Sequence, residues 1–264
     1  MIDYKQLWTP RAIAEGRVLS VCLGASRVWI RRGAHDWLVA SETEEGEEER
    51  CSVSIAEEDV AAERDWTRWI LDDAVEQVRL RPRLPDRPII VRPETPMCLM
   101  PKQSAQFYVG VPIWLSLTFG VKNEQAIDVP TTTLSNSWFG SLTEGELCYA
   151  VKTKARLRRE DTRLVANHVI IPLEIRNASK EKLKFERLCL RPQYLDIYQG
   201  DTRLWTGRGR VSYRGEDNWS RIVYAGTAPD MDGAREKLSA AREPMRRGAL
   251  LKTFDDFKQR IEIS

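Results

Sequence analysis

The chain reads as a mainly β protein: an immunoglobulin-like β-sandwich, preceded by a small N-terminal β region and followed by C-terminal helices. Three observations predict it. In "FYVGVPIWLSLTFG", residues 107–120, every odd position from Phe107 to Phe119 is a large apolar residue, and a period of two marks a strand with one face in the core. Short apolar runs recur along the chain, and six prolines between 82 and 101 stop them one after another. Nine tryptophans among 264 residues supply the bulky rings that suit a pleated, half-buried surface. The expected division is a small β region with an acidic loop over 1–64, the sandwich core over 65–228 and a helical segment over 229–264.

From the N-terminus, "RVLSVCL" alternates through Leu19, Val21 and Leu23. "RVWI" and "DWLVA" flank "RRGAH", where Gly33 suits a hairpin turn. "ETEEGEEER", 42–50, holds six glutamates and reads as a solvated loop, with an acidic docking segment as the alternative. "AEEDVAAERDW", 56–66, reads as a short helix linking two β regions. "VRLRP", "IIVRP" and "MCLMP" are extended runs, each ended by a proline.

In the 107–119 run, Pro112 cannot donate to a ladder, so the strand is an edge or bulges there. The pattern returns in "VIIPLEIRN", 169–177, with Pro172 in place of Pro112. The echo suggests two related strands of one sandwich, each bent at its proline. Over 142–161, Leu147, Tyr149, Val151, Thr153, Ala155 and Leu157 alternate with lysines and arginines. "HVIIPLEIRNASKEKLKFERLCLRP" reads as a strand, a turn at "NASKEK" and a second strand, as in a hairpin. "YLDIYQGDTRLWTGRGRVSYRG" supplies two or three more strands. From 229 the pattern changes. "DMDGAREKLSAAREPMRRG" reads as helix broken near Pro244, and "ALLKTFDDFKQRIEIS" places Leu250, Phe254, Phe257 and Ile261 on one helical face.

Composition removes several kinds of chemistry. A net charge of +2 gives no global attraction to nucleic acid or membrane. Cys22, Cys51, Cys98, Cys148 and Cys189 form no C-x-x-C, and without a secretory signal they read as reduced thiols of a cytoplasmic protein. No segment approaches the roughly 20 apolar residues of a spanning helix, so direct membrane insertion is not expected. His35 and His168 have no partner at ligand spacing, so no zinc site is expected. Nucleophile elbow, phosphate loop, dinucleotide fingerprint and zinc-protease helix are all missing from the sequence. "GRGR", 207–210, lacks phosphate-loop spacing and reads as a hairpin turn. No catalytic residue, metal or cofactor is therefore assigned, and the reading leans away from an enzyme.

Three candidate surfaces remain. Tyr108, Trp114, Trp138 and Trp205 are the candidate aromatic platform for a sugar, peptide or base. Lys152, Lys154, Arg156 and Arg158, with Arg208 and Arg210, are the candidate basic face. Cations between aromatics suit single-stranded nucleic acid, but lysine and arginine on an exposed strand also deter edge-to-edge aggregation. Leu250, Phe254, Phe257 and Ile261 are the candidate partner-binding helix, unless that face packs on the sandwich.

From about Trp66 the chain resembles a family of proteins of unknown function found in archaea and some bacteria. The resemblance rests on "PDRPIIVRPE" (85–94), "FYVGVPIWLSL" (107–117), "SWFG" (137–140) and "IPLEIRNAS" (171–179), and covers 66–225. These motifs are structural, so the resemblance assigns no catalytic residues. It implies genes encoded beside those of small-conductance mechanosensitive channels in some bacteria, and so an accessory role for a membrane protein. The expected function is a non-enzymatic, cytoplasmic interaction or regulatory module whose partner is a protein, such as the cytosolic part of such a channel. Nucleic-acid binding through the basic strand, or a small-ligand or carbohydrate site on the aromatics, is the alternative.

Overall fold

A computed structural model describes residues 4–44, 50–57, 64–71, 75–120, 124–143, 145–215, 219–244 and 250–255. The chain is mainly β and divides into two compact units that interleave along the sequence. One unit holds 1–83, 112–133 and 165–167, and the other holds 84–111, 134–164 and 168–264.

The first unit has two sheets. Cys51–Glu57, Arg17–Leu23, Ser26–Arg32, Trp37–Thr43 and Thr67–Trp69 follow one another, all antiparallel, in the larger. Arg11–Ala12, Gln77–Arg83, Trp114–Phe119 and Glu124–Pro130 form the smaller, also antiparallel. Leu19, Val21, Val28, Ile30 and Val39 from one sheet are buried, as are Val78, Leu80, Leu115 and Leu117 from the other. The rings of Trp37 and Phe119, one from each sheet, stand 4.9 Å apart. Each such aliphatic side chain contributes about 1.5–3 kcal/mol by leaving water.

The second unit is built on a thirteen-stranded sheet. Along its main path lie Glu236–Ser239, Ile197–Gln199, Leu204–Thr206, His168–Asn177, Ser104–Pro112, Glu146–Arg156, Ile89–Pro93, Arg187–Leu190 and Phe254–Asp255. Leu183–Phe185 and Met97–Leu99 form a separate two-stranded ribbon. Phe185 meets Phe107 at 6.3 Å and Phe254 at 4.9 Å, and Tyr213 meets Phe254 edge-on at 5.8 Å.

The run read at 107–119 does bury every odd residue, each at most 2% exposed, although Pro112, Ser116 and Thr118 on the even side are buried as well. It belongs to two strands, however, Ser104–Pro112 and Trp114–Phe119, which lie in different sheets and different units. Pro112 sits at the handover. Pro172 marks another handover within the His168–Asn177 strand. Val169 and Ile170 pair with Leu204 and Trp205, and Leu173 to Asn177 pair with 209–213. The proline falls in the gap between these two parallel partners, where no ladder donor is required. "GRGR" is therefore no hairpin turn: its first residues link two strands that lie end to end along one neighbour.

The C-terminal helices are a correction. No α-helix occurs among the described residues. Glu236–Ser239 pairs with Ile197–Gln199, held by a 2.6 Å ion pair from Lys237 to Asp196. Leu250–Lys252 pairs with Trp219–Tyr224, and Phe254–Asp255 pairs with Arg187–Leu190. Leu250 and Phe254 are thus strand residues, and Phe254 is buried. The spacings of four, three and four across 250–261 fit a helix, but over 250–255 sheet pairing with Trp219–Tyr224 and Arg187–Leu190 overrides that local pattern. Phe257 and Ile261 lie outside the described residues. At 56–66, Ala56 and Glu57 end a strand rather than begin a helix, and 58–63 lie outside the described residues. The turn at 178–182 closes no hairpin either, because Leu183–Phe185 pairs with Met97–Leu99.

Candidate functional site: a basic groove over a bulged strand

The Glu146–Arg156 strand carries the basic residues read from the sequence, and its pairing shapes a hollow beside them. On one flank it runs parallel to Ile89–Pro93. Between the pairs Ile90–Ala150 and Arg92–Lys154, that neighbour advances two residues while this strand advances four. On the other flank, pairing with Ser135–Phe139 ends at Ala150, and pairing with Ser104–Pro112 resumes at Ala155. Residues 151–153 therefore bulge out of both ladders, with the Thr153 hydroxyl donating to the Gly110 carbonyl. A bulge bends a strand and re-aims its side chains.

The result is a groove of 420 Å³ lined by Ile90, Arg92, Ser137, Ala150, Val151, Lys152, Thr153, Lys154 and Arg187. Four of these are cations and none is a carboxylate. Lys152, Lys154 and Arg92 are exposed. Arg187 is buried, donates to the Trp138 carbonyl at 3.3 Å and lies over the Phe139 ring at 5.7 Å. Glu186 stands in a neighbouring 200 Å³ hollow that shares Arg92 and Arg187. Sequence reading found Lys152 and Lys154 but missed Arg92 and Arg187. Parallel pairing to a distant strand brings in the first, and nothing local signals either.

The other candidates fall elsewhere. Arg156 is paired with Glu94, and Arg210 with Glu174 at 2.9 Å. Arg158 lines a separate 290 Å³ hollow with Tyr108, Leu157, Arg159, Glu160 and Met231. Arg208 is exposed and does not line the groove.

Trp205 is fully buried and offers no ring face to a ligand, which removes it from the aromatic platform. It packs with Ile170, Tyr198 and Ala234, and Tyr108 packs half-buried against the same cluster. Trp114 is half-buried in the other unit. Trp138 is 38% exposed and donates from Nε1 to the Ser141 carbonyl at 2.8 Å. Its cross-strand partner Leu147 and the hairpin residue Leu142 are exposed beside it in the fold.

One cluster joins Cys148, Cys189, Glu146 and Arg191. The Cys148 and Cys189 sulfurs lie 3.9 Å apart in the core. The hydrogen bond to Cys148, followed by burial, pushes the Cys189 thiol well up, so it stays protonated and a poor nucleophile. The nearby Arg191 guanidinium pairs with Glu146. Among the described residues, no three His, Cys, Asp or Glu side chains converge as metal ligands would.

His168 begins the strand beside Ser104–Pro112, and burial with Arg163 nearby lowers its pKa to about 4. It is neutral in the folded chain at pH values where the unfolded chain would protonate it, near 6.5. Stability from this source is therefore fully present above about pH 6.5 and is lost as pH falls toward about 4, to a total of about 3 kcal/mol. The expected result is that His168→Gln flattens this part of the stability–pH curve. Urea unfolding of both proteins near pH 7 and near pH 4.5 checks it.

No match was found among curated proteins or among solved structures. No helix among the described residues is long and apolar enough to cross a membrane. The family comparison reaches well beyond the 66–225 stretch on both sides. Residues 7–258 match DUF432, described as a protein of unknown function, and the chain belongs to that family.

Proposed function

We propose that this protein is a non-enzymatic interaction module that holds an acidic segment of a protein partner in the groove of Arg92, Lys152, Lys154 and Arg187. The observation that carries the reading is the sign of the groove: four cations and no carboxylate line one concavity. Arg187, fixed by the Trp138 carbonyl and the Phe139 ring, presents its charge at little further entropic cost. Single-stranded nucleic acid, the second reading of the basic strand, requires rings among the cations, and no aromatic side chain lines this groove. The immunoglobulin-like sandwich is kept as the proposed description of the larger unit, supported by the alternating burial within Ser104–Pro112 and Gly209–Tyr213. A cytoplasmic location is proposed on the five free cysteines. The proposed partner is the cytosolic part of a membrane protein such as a mechanosensitive channel, supported by the family resemblance alone.

Fluorescence anisotropy of a labelled poly-glutamate peptide titrated with the full chain tests the groove. Binding is expected at low salt and should weaken as salt rises. Lys152→Glu with Lys154→Glu should weaken it at least about tenfold, or about 1.4 kcal/mol, with unchanged circular dichroism. An unlabelled single-stranded oligonucleotide should compete poorly. Unchanged affinity in the double variant, or binding of the oligonucleotide but not the peptide, overturns the reading.

A further inference from the structure

We infer that the group seated at the centre of the basic groove is a phosphate, carried by a phosphorylated serine or threonine within the partner's acidic segment. This rests on the acidic-segment reading of the groove and names the group that decides its affinity.

The sheet itself builds an uncompensated row of cations. Glu146–Arg156, Ile89–Pro93 and Arg187–Leu190 are consecutive strands. Lys154 and Arg92 are direct partners in the parallel ladder between the first two. Arg187 sits one residue beyond the Leu188–Val91 pair of the next ladder, level with Arg92. Neighbouring strands lie about 4.8 Å apart, so three cations stand side by side across three strands. Like charges facing each other across a ladder are destabilising. Two residues further along the same two segments the arrangement is reversed, and Arg156 is ion-paired with Glu94. No carboxylate lines the groove to relieve the Lys154–Arg92 pair in the same way.

A carboxylate brings one charge and two oxygens to this row. A phosphate monoester brings a charge between about −1.5 and −2 and three acceptor oxygens, enough to bridge donors on separate strands. The Arg92 guanidinium is exposed and presents a planar fork that matches phosphate geometry. Arg187 lines both hollows with Arg92 and holds its charge over the Phe139 ring. Ala150 and Ser137 line the same space with small side chains, and Ser137 adds a hydroxyl. Glu186 lines the neighbouring hollow and would repel an anion there, which sets the phosphate on the Lys154 side of Arg92. A chain segment, rather than a nucleotide, carries the phosphate, because no ring lines the groove for a base to stack on.

The test uses the full chain and two fluorescein-labelled acidic peptides of matched net charge. One has a central phosphoserine followed by serine, and the other has two glutamates at those places. The phosphoserine peptide should bind at least about tenfold tighter in anisotropy titrations. Arg92→Lys, at an exposed position, keeps the charge and removes the fork. It should leave the circular dichroism unchanged, weaken the phosphoserine peptide more than the glutamate peptide, and shrink their ratio below about threefold. Equal affinity of the two peptides overturns the inference and leaves the acidic-segment reading standing, whereas binding of neither overturns both. An unchanged ratio in Arg92→Lys also overturns it. So does inorganic phosphate that displaces the phosphoserine peptide as effectively as its unlabelled form does, since the ligand is then free phosphate.

Discussion

Trp205→Ala should destabilise the protein by about 3–5 kcal/mol, the range for emptying a fully buried aromatic site. Trp205 is 0% exposed at the centre of a cross-strand row, between Ile170 on one neighbour and Tyr198 on the other. Its Nε1 donates to Asp232 Oδ2 at 3.0 Å. The same carboxylate accepts from the Thr202 amide at 3.1 Å, the Thr202 hydroxyl at 3.0 Å and the Arg203 amide at 3.3 Å. Burial alone would raise the Asp232 pKa, but these donors outweigh it and hold the carboxyl below its ordinary value. Trp205→Phe keeps most of the packing and loses one donor, so it should cost about 1–3 kcal/mol. Urea unfolding followed by circular dichroism measures both. A cost below about 1 kcal/mol for the alanine variant contradicts the burial assigned to the ring.

Asn177→Ala is the second large loss, at about 2–4 kcal/mol. The residue is fully buried at the end of the His168–Asn177 strand. Nδ2 donates to the Leu99 carbonyl at 2.9 Å and the Glu181 carbonyl at 2.7 Å. Oδ1 accepts from the Ser179 amide at 3.0 Å and the Ser179 hydroxyl at 2.8 Å. Its backbone joins 102–103 as well, through Lys102 N–H at 2.8 Å and the Gln103 carbonyl at 2.9 Å. Removing the amide leaves buried partners unpaired, and that desolvation penalty is the main part of the cost. Asn177→Asp should be nearly as harmful, because a carboxylate cannot donate to either carbonyl. If thermal unfolding of Asn177→Asp matches that of the unaltered chain, the two donated bonds are not what holds this turn.

The strands were legible where burial alternates within one pairing environment. "RVLSVCL" follows directly from its period, whereas in the 146–156 strand Leu147 is exposed and Cys148 buried, against the parity read from the sequence. The prolines were legible as interruptions, but their meaning was not. Pro112 and Pro172 each stand where a strand changes partners, and partner identity depends on residues distant in the sequence. The C-terminal helical reading failed over 250–255 because long-range sheet pairing overrides the local period there, and Phe254 is captured by Phe185 and Tyr213. Within the groove, Lys152 and Lys154 were visible as alternation on one strand. Arg92 and Arg187 join them through the sheet order alone, as does the bulge that opens the space. Tryptophan count carried no information on exposure: Trp205 is core, and Trp138 is 38% exposed.

The central claim is that the bulged basic groove receives an acidic chain segment. Backbone amide chemical shifts of the full protein, followed during titration with the poly-glutamate peptide, test it most directly. The account predicts saturable shifts concentrated at 150–154, at 90–92 and at Arg187, lost in the Lys152→Glu, Lys154→Glu double variant. Saturation with no shift at these residues, or with shifts confined to Arg208, Arg210 and the 157–160 segment, would contradict it.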